Sequence, residues 1–315
     1  DVSLRQLEVF VAVAKLGHVT NAGEELGMTQ AAVSLNLAHL ERQLKGNLFD
    51  RIGKKLILND RGRLLLQEAV EVLDRAKIML ERVTSRPGDP AGNLRIGAST
   101  TIGNYLLPAV IGCFSRRYRR ARIDLVVGNT RQIEEELAAG HLDLGLIEGP
   151  AHKSGLVAKD WRGDELVIIA SPSSPLAAKK KITVRDLARA AWLAREQGSG
   201  TREIFERAMQ TVGVRPELKF ELGHTEAIKQ AVIAGMGVAC LSKLAVAREV
   251  SAGLLAEINH PLNLQRRLQI LLRQGNHETP LQQSMLAYLF RPEFLQESFR
   301  QSENAMLLLK LPANC

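Results

Sequence analysis

The sequence predicts a mixed α/β chain with an N-terminal all-α module, one long helix, and a C-terminal α/β domain of two subdomains. Three observations lead to this fold class. Apolar residues recur at helical spacing through most of residues 1–58. An apolar residue then repeats every seven positions between residues 59 and 85. From Leu94 onward, short β-rich runs alternate with helical stretches, which is the pattern of parallel α/β units.

The composition is that of an ordinary soluble protein of two or three domains. Of the 315 residues, 45% are hydrophobic and 24% are charged, and the formal net charge is +8. This charge favours an anionic partner without identifying it, because residues 1–90 carry almost as many acidic as basic side chains. No apolar run is long enough to span a membrane, and no signal-peptide pattern opens the chain. We therefore expect a cytoplasmic protein without a membrane partner.

The N-terminal module, residues 1–58, has the start and stop signals of three short helices. Gly17 is predicted to end the first helix, Thr20 to cap the second, and Gly27 to end the second in a left-handed conformation. Thr29 is predicted to cap the third helix. At 100° per residue, one face of the third helix carries an apolar stripe formed by Val33, Leu37, Leu40 and Leu44. The opposite face is therefore free to contact a partner.

That outward face suits the groove of DNA. Its small side chains permit close approach, and its hydroxyl and amide groups can donate to and accept from base edges. The segment from Asp50 to Leu58 is predicted to form a hairpin with a Gly-Lys-Lys tip, a basic wing that can reach phosphates. The predicted DNA-contacting residues are Thr29, Gln30, Ala31, Ser34, Leu35, Asn36, Arg42, Arg51, Lys54 and Lys55. The alternative is a three-helix packing unit that binds no nucleic acid.

The order of residues across this module is that of a known DNA-binding motif. Its members are Thr20, Ala22, Glu25, Leu26, Thr29, Gln30, Ala32, Val33, Ser34, Leu40, Glu41, Leu44 and the run Leu48-Phe49-Asp50-Arg51. This order resembles the winged helix–turn–helix of the LysR-type transcriptional regulators. Ala31 stands where that family commonly has proline, and Leu35 where arginine is common. Both residues lie on the outward face, so they put the base preference in doubt rather than the fold.

Residues 59–92 are predicted to form a linker helix followed by a hinge. Asn59 or Asp60 can cap the helix, and residues 85–92 are rich in helix breakers. The seven-residue repeat consists of Leu66, Leu73 and Leu80, each followed three positions later by Ala69, Ala76 or Val83. This stripe either lies on its own domain or pairs with the same helix of a second subunit, and its regularity favours pairing. The resemblance likewise implies a homodimer through helix 60–84, and assembly of dimers into a homotetramer.

The C-terminal domain, residues 93–291, is predicted to contain eight strands. They are Leu94–Ala98, Ile123–Gly128, Asp143–Ile147, Leu166–Ser171, Ala191–Ala194, Lys219–Leu222, Val238–Leu241 and Leu268–Arg273. The helices predicted between them include Ile102–Arg117, Arg131–Ala139, Thr201–Val212, Glu226–Ala234 and Pro280–Leu289. The alternation of predicted strands and helices changes near residues 161–165, and this change predicts two sheets. Subdomain I would comprise about 93–161 and 267–291, and subdomain II about 162–266. The pattern resembles the periplasmic-binding-protein-like effector domain of the LysR-type family.

Loops that leave the carboxyl ends of the strands are the expected ligand site in such a domain. Several of these loops are rich in hydroxyls or glycine, and each offers free backbone N–H groups at the positive end of a helix. The predicted effector-binding residues are Ser99, Thr100, Thr101, Thr130, Glu148, Ser199, Gly200, Thr201, His224 and Thr225. Together they favour a small anion, such as a carboxylate, a phosphate ester or a sulfur oxyanion. The alternative is that the serines and threonines are simply helix caps.

The sequence favours a ligand-responsive transcriptional regulator that binds double-stranded DNA. The alternative is a cytoplasmic small-molecule-binding protein of the periplasmic-binding-protein type without a DNA role. No Gly-rich phosphate loop, GxSxG or HExxH motif is present, so we expect neither an enzyme nor catalytic residues. The three cysteines lack CxxC spacing, and we expect no metal and no cofactor besides the effector. Residues 292–315 form a C-terminal tail beyond the usual end of the family.

Overall fold

A computed structural model describes residues 1–85, 88–275 and 277–291. The C-terminal tail, residues 292–315, lies outside the described residues. The elements that precede the effector domain are α1 (Leu4–Leu16), α2 (Val19–Leu26), α3 (Gln30–Gln43), β1 (Phe49–Ile52), β2 (Lys55–Leu58) and α4 (Asp60–Thr84). They form the expected three-helix module, its antiparallel hairpin, and the long linker helix.

The helix boundaries of the N-terminal module follow their glycine stops. Gly17 and Gly27 both adopt left-handed backbone conformations, with φ of 68° and 62°, and end α1 and α2 as predicted. The prediction that Thr20 caps α2 is wrong, because α2 begins at Val19 with His18 in the cap position. The chain re-enters a helix so soon after Gly17 that Thr20 already lies inside the first turn.

The predicted apolar stripe of α3 forms part of the core of this module. Val33, Leu37 and Leu40 are buried against α1, and the rings of Phe10 and Phe49 pack 5.5 Å apart. Burial of such side chains is worth about 1.5–3 kcal/mol each, which fixes α3 with its other face outward. The alternation of inward and outward residues on this helix is therefore set by the core.

The linker helix α4 divides its apolar repeat between two surroundings. It is capped as predicted by Asn59, whose side chain accepts a hydrogen bond from the backbone N–H of Gly62. In its first half, Leu66, Ala69 and Leu73 pack on the N-terminal core of the same chain. Further along the helix Ile78 is buried, but four apolar side chains are exposed; this open stripe consists of Val72, Met79, Leu80 and Val83. The repeat is thus not free along its whole length, and only its C-terminal part is open in the single chain.

The elements of the effector domain follow the hinge. The strands are β3 (Gly92–Ser99), β4 (Ala121–Gly128), β5 (Leu144–Glu148), β6 (Leu156–Ala170), β7 (Trp192–Arg195), β8 (Leu218–Leu222), β9 (Val238–Ser242), β10 (Ala256–Ile258) and β11 (Gln265–Arg273). The helices are α5 (Thr100–Tyr105), α6 (Leu107–Arg117), α7 (Thr130–Ala138), α8 (Val184–Arg189), α9 (Gly200–Thr211), α10 (Thr225–Ile233), α11 (Lys243–Ser251) and α12 (Pro280–Leu289).

Two sheets share the long strand β6, which confirms the two-subdomain architecture. The strand order is β4-β3-β5-β11-β6-β9-β7-β8, and β10 pairs with β6 at the side. The first half of β6 pairs with β11 in the sheet of subdomain I, and its second half pairs with β9 and β10 in that of subdomain II. Strands β6 and β11 therefore connect the two subdomains.

The structure corrects several predicted elements. The predicted helix Ile102–Arg117 is two helices, α5 and α6, because Pro108 lies in the first turn of α6 and cannot continue a preceding helix. The first half of β6 was not predicted, since its polar and charged residues carry no local β signal. It is a strand because β11 pairs with it along nine residues, from Gln265 to Arg273. The short elements β10, α8 and α11 were also missed.

Candidate DNA interface and effector cleft

The outward face of α3 carries the predicted base-contacting residues. Thr29 caps the helix, and its hydroxyl accepts a hydrogen bond from the N–H of Ala32 at 3.2 Å. Gln30, Ala31, Ser34, Leu35 and Arg42 are all exposed. Asn36 differs, because it is half-buried and its side-chain amide donates to the carbonyl of Ala32 at 2.8 Å. The open polar groups on this face are therefore those of Gln30, Ser34 and Arg42.

The hairpin β1–β2 is fixed against the corner between α1 and α2. The N–H of Leu56 donates to the carbonyl of Gly17 at 2.8 Å, and the ring of His18 lies 3.1 Å from the carbonyl of Lys54. The three cations predicted on the wing are all exposed: Arg51, Lys54 and Lys55. A basic edge held in a set position on the module that carries the exposed face of α3 is suited to phosphate contacts.

The predicted effector residues meet at the junction of the two subdomains. Thr100 and Thr130 begin helices of subdomain I, while Gly200 and Thr225 begin helices of subdomain II. The backbone at Gly200 in subdomain II approaches the end of β5 in subdomain I so closely that a Cβ on Gly200 would lie 1.6 Å from the carbonyl oxygen of Glu148. Glycine is needed at position 200 for this approach, and the four helix starts converge on one cleft.

A buried ion pair between Glu148 and Arg266 joins the walls of this cleft. The Arg266 side chain is fully buried, and its Nη1 donates to a Glu148 oxygen at 3.2 Å and to the Thr201 hydroxyl at 2.9 Å. The carboxylate of Glu148 also accepts hydrogen bonds from the Thr201 hydroxyl at 2.8 Å and from the backbone N–H of Thr101 at 2.5 Å. Burial would raise the pKa of Glu148, but Arg266 and the neighbouring hydroxyls of Thr201 and Ser99 hold that pKa below its ordinary value.

Arg266 also contacts a second buried carboxylate. Its Nε donates to Asp164 at 2.8 Å, and the Ser242 hydroxyl donates to the other Asp164 oxygen at 2.9 Å. Sequence reasoning missed Arg266, although a signal was present. In β11 it lies in phase with the buried residues Leu268, Ile270 and Leu272, so a period of two already directs it inward.

A second arginine missed by sequence reasoning, Arg195, spans the cleft. Its side chain is only 2% exposed at the end of β7. It donates to the hydroxyl of Thr100 in subdomain I at 3.1 Å and to that of Thr225 in subdomain II at 3.2 Å. Two predicted hydroxyls therefore face a guanidinium. An arginine that ends a short apolar strand carried no distinctive local signal.

The remaining predicted residues lie at the margin of the cleft. Thr130 and Ser199 line a neighbouring cavity of about 420 Å³ between the starts of α7 and α9. The Thr130 hydroxyl also donates to the carbonyl of Glu148 at 3.2 Å. His224 occupies the cap position of α10 without a side-chain cap, and it is exposed to solvent. The hydroxyls are thus brought together with the arginines, whereas the imidazole of His224 is not.

Ion pairs connect the effector domain to the linker helix. Asp143, which precedes β5, accepts hydrogen bonds from Lys77 of α4 and from Arg95, each at 2.8 Å. Arg273 at the end of β11 pairs with Asp74 of α4. Burial would raise the pKa of Asp143, but the hydrogen bonds and charges of Arg95 and Lys77 lower it to about 2. The carboxylate is therefore the favoured form throughout the neutral range.

We expect Asp143→Asn to destabilise the protein by about 2 kcal/mol near neutral pH. Because the pKa of Asp143 is lowered from 3.8 to about 2, its stabilisation is present above pH 3.8 and is lost as the pH falls towards 2. The free-energy gap between wild type and variant should shrink over that window in urea unfolding. Asp160→Asn, at an exposed aspartate, is the control. A difference in unfolding free energy that does not change with pH would contradict the lowered pKa of Asp143.

Neither a membrane-spanning helix nor a metal cluster is found in the described ranges 1–85, 88–275 and 277–291. No helix there combines the length and the apolar character that a bilayer crossing requires. No group of three or more His, Cys, Asp or Glu side chains in these ranges could hold a metal ion.

Two family models match this chain. Residues 4–63 match the bacterial regulatory helix-turn-helix protein of the lysR family, and residues 87–291 match the LysR substrate binding domain. The transcriptional regulator YeiE of Escherichia coli is 41% identical over 288 residues, which cover 91% of this chain and 96% of that protein.

Solved structures share the same architecture. A full-length OxyR variant from Pseudomonas aeruginosa aligns with a TM-score of 0.70 at 22% identity, covering 92% of this chain and 97% of that one. The Synechocystis CcmR regulatory domain, solved in complex with 2-PG, aligns with a TM-score of 0.60 at 30% identity, covering 63% and 96%. These relatives are transcriptional regulators rather than enzymes. The chain is therefore a LysR-type transcriptional regulator, with a helix-turn-helix module and a substrate-binding domain of two α/β subdomains.

Proposed function

We propose that this regulator binds DNA through α3 and its wing, and that a small anion bound between the two subdomains changes how the DNA is held. The observation that carries the proposal is the cleft, where a buried arginine and neutral hydroxyls at helix starts face one another from both subdomains. The CcmR regulatory domain was solved in complex with a small molecule, 2-PG, which supports a small-molecule effector for this chain. A regulator that binds chromosomal DNA also agrees with the expected cytoplasmic location.

The effector ligand can be tested on the full-length protein. We expect inorganic phosphate, sulfate or a small carboxylate to raise the melting temperature and to change affinity for a DNA fragment selected from a random pool. Thr225→Val should reduce both effects, because it removes a hydroxyl from the arginine at the cleft. If the protein selects no sequence from the pool but still binds an anion, the alternative of a small-molecule-binding protein without a DNA role is correct.

A dimer would place two copies of α3 in successive major grooves, about 34 Å apart, so the operator should be roughly palindromic. The open stripe of α4 supports pairing through the C-terminal half of that helix. Assembly of dimers into a tetramer remains a prediction from the family resemblance. Closure of the cleft on the effector would shift the subunit geometry and so bend or release the DNA.

Met79→Glu should weaken the dimer at least about tenfold, since a carboxylate would be buried in the paired stripe. The side chain of Met79 is 58% exposed in the single chain, so the monomer itself should keep its fold. Sedimentation at several concentrations measures the dimer and any tetramer. The control is Arg82→Glu, which places the same side chain on the same helix but outside the stripe. Equal association of both variants would exclude this part of α4 from the interface.

Replacing Lys54 and Lys55 with alanine should weaken binding to all DNA sequences and lower the salt dependence of binding by about one to two counter-ions. Both lysines are exposed near the tip of the wing. Fluorescence anisotropy at several salt concentrations gives the slope. A matched variant, Lys180→Ala with Lys181→Ala, removes the same charge from an exposed loop of subdomain II. If the wing pair gives the wild-type slope, the wing does not contact phosphates.

A further inference from the structure

The partner of Arg195 is the residue next to it in the chain. Arg195 Nε donates to Glu196 Oε2 at 2.8 Å, and Nη2 donates to Glu196 Oε1 at 2.9 Å. This fork-to-fork pairing is the geometry by which a guanidinium recognises any group with two acceptor oxygens on one atom. The other contacts of the guanidinium are the hydroxyls of Thr100 and Thr225. Glu196 thus occupies, from within the chain, the position that an anionic ligand would take.

The carboxylates around the cleft differ in how firmly they are held. Glu148 and Asp164, the partners of Arg266, each have side chains only 2% exposed and are fixed by further hydrogen bonds. The side chain of Glu196 is 22% exposed and lies in the loop that follows β7. Glu196 can therefore turn into solvent without breaking a strand or a helix, whereas the partners of Arg266 cannot.

Glu196 is also poised to remain charged. Burial would raise its pKa, but the hydrogen bonds and charge of Arg195 hold the pKa of Glu196 below its ordinary value. The adjoining residues Gln197, Gly198 and Ser199 line the cavity of about 420 Å³ beside the cleft. Glu196 is therefore adjacent in the chain to residues that face this cavity.

We infer that Glu196 is an internal placeholder for the effector. In this inference, which rests on the proposed function, a carboxylate, phosphate or sulfur oxyanion of the effector displaces Glu196 and takes its two hydrogen bonds to Arg195. The hydroxyls of Thr100 and Thr225 then contact the same ligand from opposite subdomains. Displacement returns Glu196 to water, and the ligand is then held by hydroxyls of both subdomains.

The position of Arg195 distinguishes it from the other paired arginine at the edge of the cleft. Arg202 pairs with Glu206 and Glu221, all of them in subdomain II, and donates to the backbone carbonyl of Arg195 at 3.0 Å. Arg202 thus supports the strand end from behind. Arg195 contacts both subdomains through neutral groups, and an exchange of its charged partner can therefore alter how they are joined.

Glu196→Gln tests the inference because it removes the competing charge and nearly preserves the shape. We expect the affinity of the full-length protein for inorganic phosphate, and for glycolate as a carboxylate probe, to rise at least about tenfold in calorimetric titrations. Arg195→Met should abolish binding of both probes. The matched control is Glu217→Gln, at an exposed glutamate before β8, and it should bind as the wild type does. Thermal unfolding of each variant checks that the fold is retained.

The outcomes separate the inference from the proposed function. If the wild type and Glu196→Gln bind the probes equally, or if the variant binds more weakly, Glu196 merely supports Arg195 and the inference is overturned while the anion site stands. If no variant binds either probe and anions leave DNA binding unchanged, both the inference and the proposed effector class fail. A gain for phosphate alone or glycolate alone supports the inference and identifies the group that Arg195 prefers.

Discussion

Arg266→Met is expected to destabilise the effector domain by about 3–5 kcal/mol, the cost of breaking a buried ion pair from one side. The Arg266 side chain is fully buried, and its removal would leave the carboxylates of Glu148 and Asp164 without their cation. Methionine fills similar space, so the loss comes from charge rather than from a cavity. Since Arg266 also lowers the pKa of Glu148, that pKa should rise in the variant and Glu148 should take up a proton at a higher pH.

Urea unfolding of the full chain, followed by circular dichroism, measures this loss. Arg248→Met is the control, because this side chain is exposed on α11 and the same substitution should change stability by no more than about 0.5 kcal/mol. The loss in Arg266→Met should also be smaller at low pH, where Glu148 is protonated. Similar stability of the two variants would mean that the buried pair contributes nothing to the fold.

The fold could be predicted from the sequence where the apolar periodicity agrees with residues that start or end a helix. The stripe of α3 was predicted from spacing alone, and Val33 and Leu40 are fully buried. The stops at Gly17 and Gly27 followed from the left-handed conformations that glycine permits. In each of these cases the decisive interaction is local, or lies on one face of one element.

What sequence reasoning missed depends on long-range pairing. The first half of β6 is a strand only because β11, about a hundred residues later, pairs with it. The same holds for the cleft. Its hydroxyls were predicted from loop positions, but the role of Arg195 depends on its hydrogen bonds to Thr100 and Thr225, which lie in opposite subdomains and far from it in sequence. The apolar repeat of α4 was visible in the sequence, yet its division between the N-terminal core and an open stripe was not.

Ser34→Glu is expected to lower the affinity for the operator about 100-fold, which corresponds to about 3 kcal/mol. Ser34 is exposed on the outward face of α3, with Ala31 and Leu35 as its uncharged neighbours. A carboxylate in that position would lose a base contact and would lie in the negative potential of the groove. Within α3, all of which the structure describes, no basic residue near Ser34 would compensate, since Arg42 is two helical turns further along.

The measurement is a gel-shift titration with the selected DNA fragment, together with sedimentation to show that the association state is that of the wild type. Ser251→Glu, which introduces the same charge at an exposed residue ending α11, should bind DNA as the wild type does. With the amide of Asn36 bonded to its own helix, Gln30 and Ser34 are the uncharged polar groups left to read bases near the start of α3. Wild-type affinity of the Ser34→Glu variant would therefore show that α3 does not read the DNA sequence.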